Sequence, residues 1–210
     1  MHVPDGFLSP EITVPAYAVA GPLFVHAARR HFGPRAVDAL PVMGSLTALA
    51  LVVQTIRIPI PGGTTTHLVG AVLLALVYHP LVAFVCEALV LALQALFFGA
   101  GGVTTLGVNA LAMGLLGPAA GWLAWRAARR LGEGPAAFLA AWISVQVSSL
   151  AVAAVLGLQH AVSPRHFPVP FPVVLAATMG PSLLVTGVVE GAYTLAALAL
   201  LRKARLRAAP

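Results

Sequence analysis

Long apolar runs, broken by short segments that carry proline, glycine or arginine, organise this chain from end to end. Seven runs stand out, at residues 10–28, 38–56, 60–78, 81–98, 104–125, 136–158 and 173–201. Each is close to the roughly 20 residues a helix needs to cross the hydrocarbon layer of a bilayer. The pattern predicts an all-α polytopic membrane protein of about seven transmembrane helices. The polar breaks then orient it. Arg29, Arg30 and Arg35 lie between the first two runs, Arg126, Arg129 and Arg130 follow the fifth, and Arg202, Lys203, Arg205 and Arg207 form the tail. With seven spans and the N-terminus outside, all of these face the cytoplasm and only Arg57 and Arg165 face out, a bias that an even number of spans would break. The C-terminus is therefore expected in the cytoplasm.

Composition sharpens that picture. Hydrophobic residues make up 60% of the 210 and charged residues 9%, with a mean hydropathy of +0.95; a soluble domain carries about 25% charged residues. No long polar stretch interrupts the chain, so residues 1–210 read as a single membrane domain without a soluble one. The net charge of +6 follows the loops, which assigns it to topology and anionic lipid and not to nucleic acid. The lone Cys86 excludes a disulfide framework and any CxxC site. HExxH and GxSxG are absent, so no enzyme activity and no catalytic cofactor are expected.

The first two residues carry the most specific chemistry. Met1-His2 offers three nitrogens in sequence: the α-amine, the His2 amide and His2 Nδ1. On one metal they close a five-membered and then a six-membered ring, which holds all three near one plane. Such a plane suits square-planar Ni2+, and to a lesser degree Cu2+ or Co2+. Histidine at position two is too large for methionine excision, and Pro4-Asp5-Gly6 falls where the apolar core of a signal peptide would begin. Met1 is therefore expected to stay as the terminus.

A fourth donor must come from elsewhere. His67 follows Pro61-Gly62-Gly63-Thr64-Thr65-Thr66 near the outer end of the third run, at the depth of the terminus. His160 and His166, in the proline-rich outer loop before the last run, are its rivals, and spacing alone does not separate the three. Asp5 is either a carboxylate that steadies His2 or His67, or the residue that shapes the Pro4-Asp5-Gly6 turn or caps the next helix.

The segment Met1-His2-Val3-Pro4-Asp5-Gly6-Phe7-Leu8-Ser9-Pro10, with the Gly-Gly-Thr-Thr-Thr-His stretch at 62–67, resembles the CbiM/NikM family. Its members are the substrate-binding (S) components of energy-coupling-factor transporters for nickel and cobalt, and the terminal wording is closer to the nickel type. The resemblance covers essentially the whole chain. It implies a planar site of four nitrogens, from the Met1 amine, the His2 amide and imidazole, and the His67 imidazole. It also implies a transmembrane coupling (T) subunit and two cytoplasmic ATPase subunits as partners, allows a small accessory membrane subunit, and places the chain in the plasma membrane. The substrate would be Ni2+, or Co2+. Consistent with partner ATPases, the single lysine, Lys203, has no glycine loop before it, so no P-loop exists here.

Other polar residues have quieter expectations. Glu87 and Glu190 lie inside apparent spans, where a charge costs on the order of 3 kcal/mol. They are expected to face the bundle interior, with an ion-release path as the sharper alternative. Gln94 and Asn109 are expected to hydrogen-bond across helices, His26 and His31 to border the cytoplasmic face, and His79-Pro80 to form an inner turn. Gly117–Gly121, Ala16–Ala20, Ala71–Ala75 and Ala136–Ala140 are small-xxx-small pairs that permit close helix contact, within the bundle or with a partner. Two other functional classes stay open: a gradient-driven secondary metal permease, which internal repeats would favour, and a non-transporting membrane scaffold subunit.

Overall fold

The computed structural model describes residues 2–60 and 64–208, so Met1, Pro61, Gly62 and Gly63 lie outside the described residues. Helix α1, Pro10–His31, starts at a proline, which is pre-set for the first helical turn. A 3-10 turn, Pro34–Ala39, leads into α2, Leu40–Thr55. Helix α3 is only Ala71–Val77. Helix α4, Pro80–Phe97, is capped by His79, whose Nδ1 accepts a 3.1 Å bond from the Leu81 amide. A continuous helix follows, made of α5 (Leu106–Asn109), a π-helical stretch (Ala110–Leu116) and α6 (Gly117–Ala128). Helix α7, Glu133–Val162, is the longest unbroken one. The last rod joins α8 (Phe171–Pro181), a π-helical turn (Ser182–Thr186) and α9 (Gly187–Ala208).

Among the described residues five helices are long and apolar enough to cross a membrane: Ala36–Thr55, Pro80–Phe97, Leu106–Leu131, Glu133–Val162 and Phe171–Ala204. Helix α1 has the length, at 22 residues, but carries Glu11, Arg29, Arg30 and two internal prolines.

The third apolar run corrects the all-α expectation. Residues 60–78 do not form one helix. A two-stranded antiparallel hairpin, β1 (Ile58–Ile60) and β2 (Thr64–Thr66), pairs Ile58 with Thr66 and Ile60 with Thr64. Pro59 and Pro61 remove backbone donors and favour extended neighbours, and three successive threonines prefer a strand. The chain then runs open through 67–70 and enters α3 at Gly70, whose φ of +75° an L side chain rarely adopts. A Cβ there would also sit 3.3 Å from the Ala50 backbone.

Helix packing explains the small residues. A Cβ added at Gly121 would lie 2.6 Å from the Ala140 carbonyl oxygen, and one at Gly117 2.7 Å from that of Ser144. The GxxxG of α6 is thus used up inside the bundle, against α7, and Ala71, Ala75, Ala136 and Ala140 are likewise buried. Gly121→Ala should destabilise the fold by roughly 1–3 kcal/mol, read as a lower unfolding temperature in detergent. An unchanged temperature would mean that this contact is not tight.

The two ends of the bundle differ in chemistry. At one end the His31 and His79 rings stack 5.0 Å apart, Arg126 lies over Trp122 at 4.6 Å, and Arg202 pairs with Glu133. At the other end the N-terminal segment, the hairpin, the 99–105 loop and the 163–170 loop come together.

Candidate functional site

The N-terminal segment is fastened into the bundle from several sides. Asn109, at the end of α5, meets the Val3 backbone with both arms of its amide: the Val3 amide donates to Oδ1 at 2.9 Å, and Nδ2 donates to the Val3 carbonyl at 3.0 Å. The Thr105 hydroxyl donates to the same carbonyl at 2.6 Å. Six residues on, Gln159 Oε1 on α7 accepts from the Ser9 amide at 2.8 Å. Asp5 turns to the 99–105 loop, where its carboxylate accepts from the Val103 and Thr104 amides at 3.0 and 2.8 Å and from the Thr104 hydroxyl. The Thr104 hydroxyl, first among these contacts, draws the Asp5 pKa below its ordinary value. Asp5 therefore fixes the course of the segment and contacts neither imidazole.

That loop comes close because Gly101 and Gly102 have no side chains. A Cβ at Gly101 would stand 3.3 Å from His2 Cβ, and one at Gly102 would stand 2.5 Å from the Asp5 amide nitrogen. Residues 2–9 thus lie in a cradle of loop backbone and amide side chains.

At the inner end of this cradle the structure brings His2 and His67 together. Their ring centres are 4.7 Å apart, with the planes at 54°. Two imidazoles bound at right angles to one ion, through bonds of about 2 Å, have ring centres roughly 4.4 Å apart. His67 Nδ1 lies 2.7 Å from the Leu68 carbonyl oxygen. A carbonyl can only accept, so Nδ1 holds the proton and Nε2 keeps its lone pair. Burial pushes the His67 pKa down to about 4, and burial followed by the neighbouring His67 holds His2 well below its ordinary value. Both rings are therefore neutral at neutral pH, the form that binds metal.

Buried carboxylates and amides support the loop that carries His67. Glu190 on α9 accepts from the Val69 and Gly70 amides at 2.7 and 2.6 Å. Gln54 on α2 donates from Nε2 to the Val69 carbonyl at 2.7 Å and to Glu87 at 2.8 Å. The Thr66 and Thr186 hydroxyls bond at 2.6 Å, the latter from the π-helical turn between α8 and α9. Irregular turns of this kind recur at functional positions. Glu87 and Glu190 are thus both engaged in holding the hairpin loop.

His160 and His166 stay apart from the ring pair. His160 Nδ1 lies 3.1 Å from the Phe167 carbonyl, and His166 Nδ1 lies 3.0 Å from the Ser163 hydroxyl. Their loop instead covers the N-terminal segment through Phe167, whose ring centre is 5.4 Å from that of Phe7. Among the described residues no three His, Cys, Asp or Glu side chains gather where they could hold one ion. Met1 lies outside the described residues. Gln54 and the Gly101-Gly102 approach are features that reading the sequence did not single out.

Fold and site together define a multi-pass membrane protein with two neutral imidazoles facing each other beneath its N-terminal segment. Residues 2–208 match the family model CbiM, the cobalt uptake substrate-specific transmembrane region, and the chain belongs to that family. It is 32% identical to a metal transport protein of Methanocaldococcus jannaschii, covering 98% of this chain and 93% of that one. It is 33% identical to the cobalt transport protein CbiM of Geobacter sulfurreducens and 30% identical to the fused nickel transport protein NikMN of Rhodobacter capsulatus. Those matches cover 98% and 97% of this chain, which spans only 60% and 62% of the two relatives' lengths. A crystal structure of a transition metal transporter superposes with a TM-score of 0.90 at 32% identity, over 97% of this chain and 93% of that one. The relatives are named as transport proteins and not as enzymes.

Proposed function

We propose that this chain is the substrate-binding (S) component of an energy-coupling-factor importer, and that it holds Ni2+, or Co2+, in a plane of four nitrogens. The Met1 amine, the His2 amide and His2 Nδ1 supply three, and His67 Nε2 supplies the fourth. The observation that carries this reading is the pairing of His2 with His67, whose 4.7 Å ring separation and free Nε2 suit two cis ligands on one ion. The lack of a third clustered side-chain ligand among the described residues favours backbone and terminal donors. A planar set disfavours Zn2+, which prefers a tetrahedron, so geometry provides the selection.

The same reading gives the topology. Seven passes alternate along the chain if the hairpin and α3 count as one, with the ion site on the extracytoplasmic side of the plasma membrane. The gathering of Arg29, Arg30, Arg126, Arg129, Arg130, Arg202 and Lys203 toward the opposite end supports a cytoplasmic C-terminus. Residues 1–210 act as one membrane domain. Energy comes from two cytoplasmic ATPase subunits through a transmembrane coupling (T) subunit, with a small accessory membrane subunit as a further partner.

Ion binding should release protons in a countable way. The amine, with an ordinary pKa near 7.7–8.0, and the His2 amide must each lose one, while both imidazoles are already neutral. Apparent Ni2+ affinity should therefore fall about tenfold per proton, or about 100-fold per pH unit, from about pH 7 to about pH 5. A third proton enters only as pH falls toward the His67 value of about 4. Isothermal titration of the purified chain in several buffers counts the protons directly. Affinity that stays flat down to pH 5 would sink this ligand set.

A further inference from the structure

The Gln54 side chain lies beside the buried His2 ring, and its own geometry is fixed by other groups. Both hydrogens of its amide nitrogen are spent, one on the Val69 carbonyl at 2.7 Å and one on Glu87 at 2.8 Å. Flipping the amide would set its oxygen against the Val69 carbonyl, which can only accept. Oε1 is thus held in one direction, and it is fully buried with no hydrogen bond of its own. The other orphan in this region is His2 Nε2, also buried and also without a partner. A buried polar atom left unpaired loses its bond to water without replacing it, so two of them on neighbouring side chains require an explanation.

Chelate geometry supplies one. The six-membered ring through the His2 amide closes only on Nδ1, so a bound ion leaves Nε2 as the protonated nitrogen. That N–H needs a buried acceptor. We propose that Gln54 is a positioning residue for the ion site, whose Oε1 accepts the His2 Nε2–H once Nδ1 binds the ion. This rests on the planar-site reading given above. The bond selects the tautomer that binds, and it makes Nδ1 a stronger donor. Because the same amide holds the Val69 carbonyl, Gln54 also ties the His2 side of the plane to the loop that carries His67. Glu87 keeps the amide from turning. This assigns the buried Glu87 a role in aiming a ligand.

Ni2+ titration and visible spectra of the whole chain in detergent test the assignment, with Gln54→Met and Gln54→Glu beside the wild type. Gln54→Met removes the acceptor and should weaken Ni2+ binding 10–100-fold, the range for losing a group that supports a ligand. It should also move the planar Ni2+ band to longer wavelength, because Nδ1 becomes a weaker donor. Gln54→Glu, taking up a proton on the oxygen that faces Val69 and Glu87, keeps an acceptor toward His2 and should recover most of the affinity and the band position. If Gln54→Met does not fold, Gln54→Asn, one methylene too short to reach, should show the same loss and shift. Lower affinity with an unmoved band would overturn the assignment and leave Gln54 as a brace for the Val69 loop only. Equal affinity and equal spectra in all variants would overturn it with the planar site intact. A wild-type chain without planar Ni2+ overturns the site, and this inference falls with it.

Discussion

Acetylation of the Met1 α-amine should weaken Ni2+ binding by at least about 1,000-fold, well beyond the 10–100-fold expected for a supporting group. The amine anchors the five-membered ring. Without it the His2 amide has metal on one side only and keeps its proton, and the site shrinks to two monodentate imidazoles. The yellow, diamagnetic signature of planar Ni2+ should vanish with the affinity. Adding residues must be done with care, because one glycine before Met1 creates Gly-Met-His. That terminus carries an amine, two amides and an imidazole, which fill all four corners of a plane by themselves. Two added glycines move the amine out of chelating reach and should reproduce the effect of acetylation. Planar Ni2+ retained by both the acetylated and the two-glycine chains would show that the terminus is not a ligand.

Much of this arrangement was legible in the residues, and the parts that were not share a cause. The lengths and breaks of the apolar runs located α1, α2, α4, the helix from Leu106, α7 and the start of the final rod to within a few residues, although that rod runs on past residue 201 to Ala208. They failed at 60–78, where averaging over a window hides the prolines at 59 and 61 and the threonines at 64–66 among Ile, Leu and Val. The strand preference there is local, whereas span length is a property of the whole window. His2 stood out because it follows the terminal amine, and His67 because the stretch at 62–67 resembles the CbiM/NikM family; spacing alone left His67 level with His160 and His166. Gln54 did not, since one amide in an apolar run has no periodicity, and its meaning depends on Glu87 and Val69 lying 33 and 15 residues away. Asn109 was expected to bond across helices and instead clasps the backbone beside His2. The glycines at 101 and 102 look like an ordinary turn until the N-terminal segment is laid across them.

Replacing His67 should be nearly as damaging as blocking the amine, and its pattern is more diagnostic. In the planar arrangement His67 Nε2 sits across from the His2 amide nitrogen. His67→Ala leaves the three-nitrogen chelate intact, with water in the fourth position. Ni2+ affinity should drop by about 100-fold or more, because a first ligand outweighs the groups that orient it. The planar band should move to longer wavelength as a weaker donor replaces imidazole. Zn2+ affinity should change far less, since a tetrahedral ion gains little from the plane. His160→Ala and His166→Ala should leave Ni2+ binding unchanged, because both rings are tied within their own loop. The combination with the one-glycine chain is sharper still. Gly-Met-His already fills the plane, so His67→Ala in that background should cost nothing. Competition titrations with Ni2+ and Zn2+ on the wild type, the three histidine variants and the one-glycine chain with and without His67→Ala read every arm at once. A His67→Ala chain that binds Ni2+ as tightly as the wild type would remove His67 from the ligand set. A loss of equal size in the one-glycine background would mean that His67 shapes the pocket and does not touch the ion.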